Sequence, residues 1–305
     1  MNILLAAEES AGVQTIRLLS NSNHNVKGVL TDTGSPSKGT PVATAAKKHE
    51  FSVMPAPLVK EASFAEWIRD NSIDLLLNVH SLFVICPEVI DALRVGAFNL
   101  HPGPLPEYAG LNAPSWAIYN REIQHGVTLH QISTGIDTGD IIDEKKFRIS
   151  NIDTGLSVSM RCVKYGIPLV EKFLRNIEND KSITTKKQDL TKRKYYRANQ
   201  VPNDGKINWT DTADQVDAFV RACNYSPFQS PWGYPFTTRN GQKISILKIG
   251  LTDHTCSAKP GSVGDPINGN TSIATADYWV TVKRCLVEDI HVDADTLLSP
   301  GDLLK

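Results

Sequence analysis

The chain has few cysteines and no long hydrophobic run. Its five cysteines are scattered over 305 residues, and an odd number without close pairs fits neither a disulfide framework nor a zinc site. No segment approaches eighteen consecutive apolar residues, and residues 1–7 lack the basic start of a signal peptide. These absences predict a cytoplasmic protein that uses neither a metal nor a membrane.

The chain also has no excess of charge of either sign, and it lacks several diagnostic motifs. The formal net charge is -1, which gives no general attraction to nucleic acid or to an anionic membrane. The sequence has no Walker loop, no G-x-G-x-x-G turn, no H-E-x-x-H pair, and no serine or cysteine in a nucleophile motif. An enzyme of this sequence must therefore take its attacking group from a substrate.

The first half of the chain alternates strand and helix patterns. Continuous apolar runs at residues 2–7 and 74–79 are typical of buried parallel strands, and the alternation indicates an α/β domain with helices on both faces of a sheet. The predicted domain covers residues 1–180. Its predicted strands are 2–7, 26–31, 73–79, 97–101, 127–132 and 141–147, and its predicted helices are 12–19, 42–49, 64–70, 88–93, 113–120 and 156–177.

The second half changes character. Residues 181–202 are polar and basic, without helical or strand periodicity, and predict a linker. Residues 203–305 contain one helical pattern, 213–223, followed by short β-like runs. Asn-Gly pairs at 240–241 and 268–269 indicate hairpins between those runs. We therefore predict a small β-rich C-terminal domain.

Asn99, His101 and Asp137 are the candidate catalytic residues. In an extended segment Asn99 and His101 point to the same face, and the prolines that follow end the strand. An amide can meet an oxyanion, an imidazole can move a proton, and a carboxylate can orient the imidazole. The three residue types together suit acyl transfer through a tetrahedral intermediate.

Each of these residues also has a purely structural explanation. His101 would then be a strand-end histidine bonded to backbone, and Asp137 would only cap the turn that contains it. Three further histidines, His80, His125 and His130, have no comparable neighbours in the sequence and are interpreted as core or surface residues.

Several motifs of the chain resemble those of the folate-dependent formyltransferases. They are F-N-L-H-P at 98–102, L-P-x-Y-x-G at 105–110, G-V-T-L-H at 126–130 and G-I-D-T-G-D at 135–140, with G-K-I-N-W at 205–209 and P-W-G at 231–233 in the second half. The spacing of Asn99, His101 and Asp137 is similar to that of the family's catalytic trio. The resemblance implies a Rossmann-like domain followed by an OB-like C-terminal domain.

The resemblance also implies the reaction and the cosubstrate. The expected activity is formyl transfer from 10-formyltetrahydrofolate to a primary amine, with Asn99 and His101 stabilising the oxyanion and Asp137 orienting the histidine. By the same analogy the pterin lies against the backbone of residues 82–85 and 133–136. The implied folate contacts are Leu82, Phe83, Ile85, Ser133, Gly135 and Ile136.

Departures from the family pattern concern the acceptor. Gly103 replaces a common serine, Ala109 replaces a common arginine, and Glu8 and Glu9 stand where a Gly-Thr-Pro turn is frequent. The segment 31–40 is short, with Lys38 as its one basic residue, and residues 203–305 carry nine Lys and Arg against twelve Asp and Glu. Phosphate binding requires the opposite sign of charge.

These features favour a small amine as acceptor, such as an amino sugar nucleotide or an amino-acid-derived intermediate. The domain order instead resembles methionyl-tRNA formyltransferase, so tRNA stays the alternative acceptor, although the charge disfavours it. A third alternative is a non-catalytic folate-binding module. No exposed apolar stripe or heptad pattern decides between a monomer and a homodimer.

Overall fold

The computed structural model describes residues 1–32, 41–179 and 181–305. By contacts between Cα atoms the chain forms two compact units. The N-terminal unit comprises residues 1–113, 125–147 and 159–196, and the C-terminal unit comprises residues 114–124, 148–158 and 197–305. The domain limits expected from the sequence (1–180, 181–202 and 203–305) stay a prediction. The short segment 31–40, which has Lys38 as its one basic residue, lies mostly outside the described residues, because residues 33–40 are not among them.

The elements of the first 196 residues alternate as the sequence pattern predicts. The strands are β1 (Asn2–Ala7), β2 (Asn25–Thr31), β3 (Val53–Pro55), β4 (Leu75–Val79), β5 (Gly96–His101), β6 (Ala109–Gly110), β7 (Gln124–Gln131), β8 (Ile141–Arg148) and β9 (Tyr195–Tyr196). The helices are α1 (Glu9–Ser20), α2 (Val42–Lys48), α3 (Phe64–Asp70), α4 (Pro87–Asp91), α5 (Ala113–Tyr119) and α6 (Gly155–Glu178). Short 3-10 turns cover Ala56–Lys60 and Leu190–Lys192.

The N-terminal unit is built on a seven-stranded sheet in the order β3-β2-β1-β4-β5-β7-β8. The pairs from β3 to β5 are parallel, and β5 pairs with β7 antiparallel. The expectation of a Rossmann-like, parallel-rich sheet is therefore confirmed. Strand order reverses between β1 and β4, and ligands of open α/β sheets bind outside the carboxyl ends of the strands at such a switch point.

The strands around the candidate residues are deeply buried. Every residue of β4 is buried, and Leu75, Leu76 and Leu77 have no exposed surface. Helix α6 packs closely against β5 at Gly166. The Cβ of any other residue at this position would lie 2.9 Å from Leu100 Cδ2. Leu100 points into the core between the two candidate residues of the same strand, so packing behind β5 fixes where their side chains emerge.

The C-terminal unit is β-rich, as expected. After α7 (Ala213–Ala222) come β10 (Phe236–Arg239), β11 (Gln242–Ile246), β12 (Ile249–Thr255), β13 (Val263–Ile267), β14 (Asn270–Ala274), β15 (Tyr278–Val282), β16 (Arg284–Val287), β17 (Ile290–Asp293) and α8 (Ala294–Leu297). They form antiparallel sheets in the orders β10-β11-β16-β17 and β12-β15-β14-β13.

Both Asn-Gly pairs lie in the hairpin turns that the sequence predicts. Asn240 and Gly241 join β10 to β11, and Asn268 and Gly269 join β13 to β14. All four residues have φ between 50° and 84°, as a two-residue turn with positive φ at both central positions requires. Among the helices of the described residues, none has the length and apolar character needed to span a bilayer.

Candidate active site

A row of polar side chains crosses three neighbouring strands of the N-terminal sheet. Asn78 on β4 pairs in register with Asn99 on β5, and Asn99 pairs in register with His130 on β7. Residues opposite one another in a sheet point to the same face. The amide nitrogen of Asn99 accordingly lies 3.1 Å from His130 Nε2.

Asp137 approaches this row from the turn between β7 and β8. Its backbone is left-handed, with a φ of 53°, and its carboxylate accepts a hydrogen bond of 2.7 Å from the Gly110 backbone N–H. Gly139 is required for this turn, since a Cβ there would lie 1.9 Å from the carbonyl oxygen of Gln131. The G-I-D-T-G motif thus builds a tight turn that presents one carboxylate.

The structure brings together the three candidate catalytic residues. Asp137 Oδ2 lies 3.6 Å from His101 Nδ1, and Asp137 Oδ1 lies 3.4 Å from the Asn99 amide nitrogen. His101 is only 3% exposed, and its Nε2 donates a hydrogen bond of 2.6 Å to the carbonyl oxygen of Tyr108. Because a carbonyl only accepts, the neutral ring carries its hydrogen on Nε2 and its lone pair on Nδ1.

Burial and neighbouring charge have opposing effects on the pKa values of His101 and Asp137. Burial prevails for His101, and the neighbouring groups prevail for Asp137. Burial lowers the pKa of His101, and the negative charge of Asp137 only partly offsets that effect. Burial alone would raise the pKa of Asp137, but the charges of His101 and His130 and the Gly110 hydrogen bond outweigh it and hold the pKa below its usual range. The site at neutral pH therefore contains a carboxylate next to a neutral imidazole.

His130 belongs to this cluster, although its sequence context predicts only a core or surface histidine. It is 2% exposed, and its Nε2 lies 3.4 Å from Asp137 Oδ1. Its Nδ1 donates a hydrogen bond of 2.7 Å to the carbonyl oxygen of Gln131, so Nε2 accepts from the Asn99 amide. The missing signal was the antiparallel register of β5 and β7, which the sequence alone does not specify.

A second polar group lies at the carboxyl ends of β1 and β4. His80 Nδ1 donates a hydrogen bond of 3.3 Å to the carboxylate of Glu9, and this bond lowers the pKa of Glu9. Glu8 is already occupied, since its carboxylate accepts from the Asp32 backbone N–H and the Thr31 hydroxyl. The Glu9 side chain is 75% exposed and remains an anion with free lone pairs.

Three buried polar atoms near this group have no hydrogen-bond partner among the described residues. They are Asn78 Oδ1, His80 Nε2 and Ser81 Oγ. A buried polar atom without a partner costs about 1–3 kcal/mol, so it requires an explanation in a stable fold. Because Asn78 lies opposite Asn99 on the neighbouring strand, a polar ligand at the carboxyl ends of these strands is the simplest explanation.

The residues expected to contact folate lie in two exposed segments with buried anchors. Leu82 is 72% exposed and Ile136 is 43% exposed, while Ile85 is part of the hydrophobic core and Phe83 packs against it. Ser133 helps to line a groove of about 400 Å³. Gly135 lies in the Asp137 turn, two residues before Asp137.

Gly103 is a packing requirement as well as a departure from the family pattern. A Cβ at this position would lie 2.9 Å from His101 Nε2 and 2.9 Å from the Tyr108 carbonyl oxygen. We expect Gly103→Ser to separate these two groups and to destabilise the protein by about 1–3 kcal/mol, measured by urea unfolding. In the control Gly269→Ser, at an open turn with φ 72°, the His101 ring signals in NMR should stay unchanged. A Gly103→Ser protein with unchanged stability and His101 signals would contradict this expectation.

Among the described residues, no group of three or more His, Cys, Asp and Glu side chains could hold a metal ion. Asn99, His101, His130 and Asp137 are residue types that can transfer protons and stabilise charge.

Comparisons with known proteins find related sequences and structures. The family model described as "Formyl transferase" matches residues 1–168, and the model of the formyl transferase C-terminal domain matches residues 200–291. A methionyl-tRNA formyltransferase of Lachnospira eligens is 26% identical over 299 residues, covering 94% of this chain and 92% of the relative.

Two solved structures have the same fold. An N-formyltransferase of Helicobacter canadensis, in complex with folinic acid and dTDP-3-aminofucose, superposes with a TM-score of 0.70 at 20% identity, covering 92% of this chain and 97% of the other. A 4-N formyltransferase of Francisella tularensis superposes with a TM-score of 0.67 at 19% identity, covering 80% of this chain and 96% of the other.

Proposed function

Because the chain belongs to the formyl transferase family, we propose that it transfers the formyl group of 10-formyltetrahydrofolate to a primary amine of a small molecule. The acceptor is an amino sugar nucleotide or an amino-acid-derived intermediate. The observation that carries the proposal is the convergence of Asn99, His101 and Asp137 at the end of β5. The folinic acid and amino sugar nucleotide in the Helicobacter canadensis structure support this donor and this class of acceptor.

Asn99, His101 and Asp137 have different roles in the proposed acyl transfer. The folate supplies an activated formyl group, and the acceptor supplies the attacking nitrogen. As that nitrogen bonds to the formyl carbon, negative charge develops on the formyl oxygen, and the Asn99 amide donates to it. The Asn99 contact with Asp137 is long, at 3.4 Å, so this amide hydrogen can turn to the oxyanion at little cost.

In this proposal His101 moves the proton instead of stabilising the oxyanion, because its Nε2–H is already donated to the Tyr108 carbonyl. Its lone pair is on Nδ1, so Nδ1 accepts the proton that the attacking nitrogen loses, and the imidazolium then faces the Asp137 carboxylate 3.6 Å away. The same proton passes to the folate nitrogen when the bond between that nitrogen and the formyl carbon breaks. Asp137 stays ionised throughout, because its neighbours hold its pKa below the usual range.

Glu9 supports a cationic amine as the acceptor. Its carboxylate is exposed, anionic and held by His80 at the switch point of the sheet. A carboxylate in that place attracts an ammonium group, which loses one proton to solvent before its nitrogen attacks, and repels the phosphates of a polyanion. The unpartnered Asn78 oxygen nearby adds a hydrogen-bond acceptor for an N–H group.

We expect Glu9→Gln to raise the KM for the amine about tenfold while kcat and folate affinity stay constant, since about 1.4 kcal/mol of charge attraction is lost. Initial rates over a range of amine concentrations measure this change. The matched control is Glu66→Gln, an exposed glutamate of α3, which should leave the KM unaltered. An unchanged KM in Glu9→Gln would remove Glu9 from the acceptor site.

Initiator tRNA is the second candidate acceptor, supported by the relative from Lachnospira eligens that matches along nearly the whole chain. The acidic balance of residues 203–305 argues against it. Release of tetrahydrofolate is the decisive assay, with charged initiator tRNA, amino sugar nucleotides and diamino acids as separate acceptors. Turnover with tRNA alone would overturn the small-amine proposal. Folate binding without turnover on any acceptor would favour a non-catalytic binding module.

A further inference from the structure

Residues 186–196, which we call the strap, contact both the turn that carries Asp137 and the loop whose Gly110 donates to the Asp137 carboxylate. The backbone of Lys186 exchanges two hydrogen bonds of 2.8 Å with Ile141 at the start of β8. Ten residues later, β9 pairs with β6, where Gly110 lies next to Tyr196. The strap therefore runs from the Asp137 side of the site to the His101 side.

Gln188 lies in the strap directly behind the Asp137 turn. Its side-chain nitrogen donates to the carbonyl oxygen of Asp137 at 3.0 Å and to that of Gly139 at 2.6 Å. Both neighbours are carbonyls, which only accept, so the amide must present its NH2 group to them. Arg193 adds a third bond, of 2.9 Å, to the carbonyl oxygen of Ile136.

These hydrogen bonds hold the backbone of the Asp137 turn, which has an unfavourable conformation. Asp137 has a φ of 53°, a conformation that residues other than glycine rarely adopt and that surrounding contacts must maintain. The three carbonyls held by the strap belong to Ile136, Asp137 and Gly139, all within the turn that presents the carboxylate. Loss of these bonds would leave the carboxylate attached to the protein mainly through Gly110 N–H and the side chains of the site.

We propose that Gln188 is a positioning residue, which holds the Asp137 turn so that the carboxylate faces His101 Nδ1. The proposal rests on the proposed function in one respect, that Asp137 acts on His101 during the reaction. Gln188 itself lies behind the turn and acts through Asp137. Its loss should lower kcat about tenfold without changing the KM for folate, because the site is misaligned rather than dismantled.

The first test is Gln188→Leu, which removes both donors without adding charge, with Gln14→Leu in the exposed part of α1 as the matched control. The Gly110 amide reports the position of Asp137 directly, since it donates to Oδ2. We expect its hydrogen exchange to quicken about tenfold relative to the amide of Leu77 in β4. We also expect the pKa of His101, followed by NMR, to fall as the carboxylate moves away.

The second test is Gln188→Glu, which keeps the shape of the side chain. When ionised, this glutamate only accepts and repels both carbonyls; when protonated, it can donate one hydrogen bond again. Gly110 protection should therefore recover toward the wild-type value as the pH is lowered through the glutamate pKa, each variant being compared with wild type at the same pH. Gln188→Leu should show no such recovery.

The outcomes separate this proposal from the proposed function. Wild-type Gly110 exchange and an unshifted His101 pKa in Gln188→Leu would overturn the role of Gln188, whatever the acceptor is. If Gln188→Leu does not fold, a Gln188→Glu protein without pH-dependent recovery of Gly110 protection would overturn it. A loosened turn with undiminished turnover would support the hold of Gln188 on Asp137 and contradict the catalytic role of Asp137.

Discussion

Asp137→Asn should lower kcat by about 10²–10⁴-fold while the protein still folds and binds folate. Asparagine has nearly the same shape, so its oxygen can keep the hydrogen bond from Gly110 N–H. The negative charge next to His101 and His130 is lost, however, and the imidazolium formed during proton transfer then has no counter-charge. Tetrahydrofolate release measures kcat, and calorimetry with 5-formyltetrahydrofolate measures folate binding.

The control for this variant is Asp140→Asn. Asp140 is in the same G-I-D-T-G-D motif, but its carboxylate accepts from the hydroxyl of Thr185, not from the catalytic cluster. We expect nearly full activity. Undiminished turnover in Asp137→Asn would show that the carboxylate is needed only to shape the turn.

Asp137→Asn should also shift the dependence of activity on pH. His101 must be neutral to accept a proton, so activity is present above the pKa of His101 and is lost as the pH falls through it. Burial places that pKa below the ordinary histidine value, and the charge of Asp137 raises it in part. In Asp137→Asn the acidic limb of the residual activity should therefore shift to lower pH. NMR titration of the His101 ring would show whether the pKa follows.

The second large effect is expected at His101. Both His101→Ala and His101→Gln should lose about 10²-fold or more in kcat, although for different structural reasons. Alanine removes the ring N–H that donates to the carbonyl of Tyr108, whereas the amide of glutamine reaches the position of Nε2 and can donate to that carbonyl in its place. Glutamine has no proton-accepting nitrogen, so it preserves the structural bond and removes the proposed chemistry.

A comparison of the two variants separates stability from catalysis. His101→Gln should unfold at nearly the wild-type urea concentration, and His101→Ala should be less stable. The control His125→Gln replaces another buried histidine, whose Nε2 donates to the carbonyl of Pro102, and should retain turnover. If His101→Gln turns over like wild type, the ring serves only to hold Tyr108 and the proton must move by another route.

The parts of the fold that depend on local sequence could be predicted. The continuous apolar runs specified β1 and β4, the Asn-Gly pairs specified two hairpins, and the prediction of α3 at residues 64–70 coincides with the helix. The alternation of side chains along a strand was enough to place Asn99 and His101 on one face. Each of these predictions depends on residues close together in the chain.

The parts that depend on pairing between distant segments could not be predicted. His130 enters the site only through the register of β7 against β5, and a shift of one residue would point it to the opposite face. Gln188 lies 51 residues from Asp137, in a stretch whose composition is that of a linker. Helix α1 begins at Glu9 rather than at the expected Gly12, which fixes Glu9 at the switch point.

The pairing of β6 with β9 has a consequence for protein engineering. The family match to the catalytic region ends at residue 168, yet β9 at Tyr195–Tyr196 is hydrogen-bonded to the loop that contains Gly110. A chimera joined at residue 168 would combine this chain's sheet with a foreign sequence at Gln188, Arg193 and β9. Domain exchange among relatives should therefore be made after residue 196, so that Gln188, Arg193 and β9 stay with the Asp137 turn and the Gly110 loop that they contact.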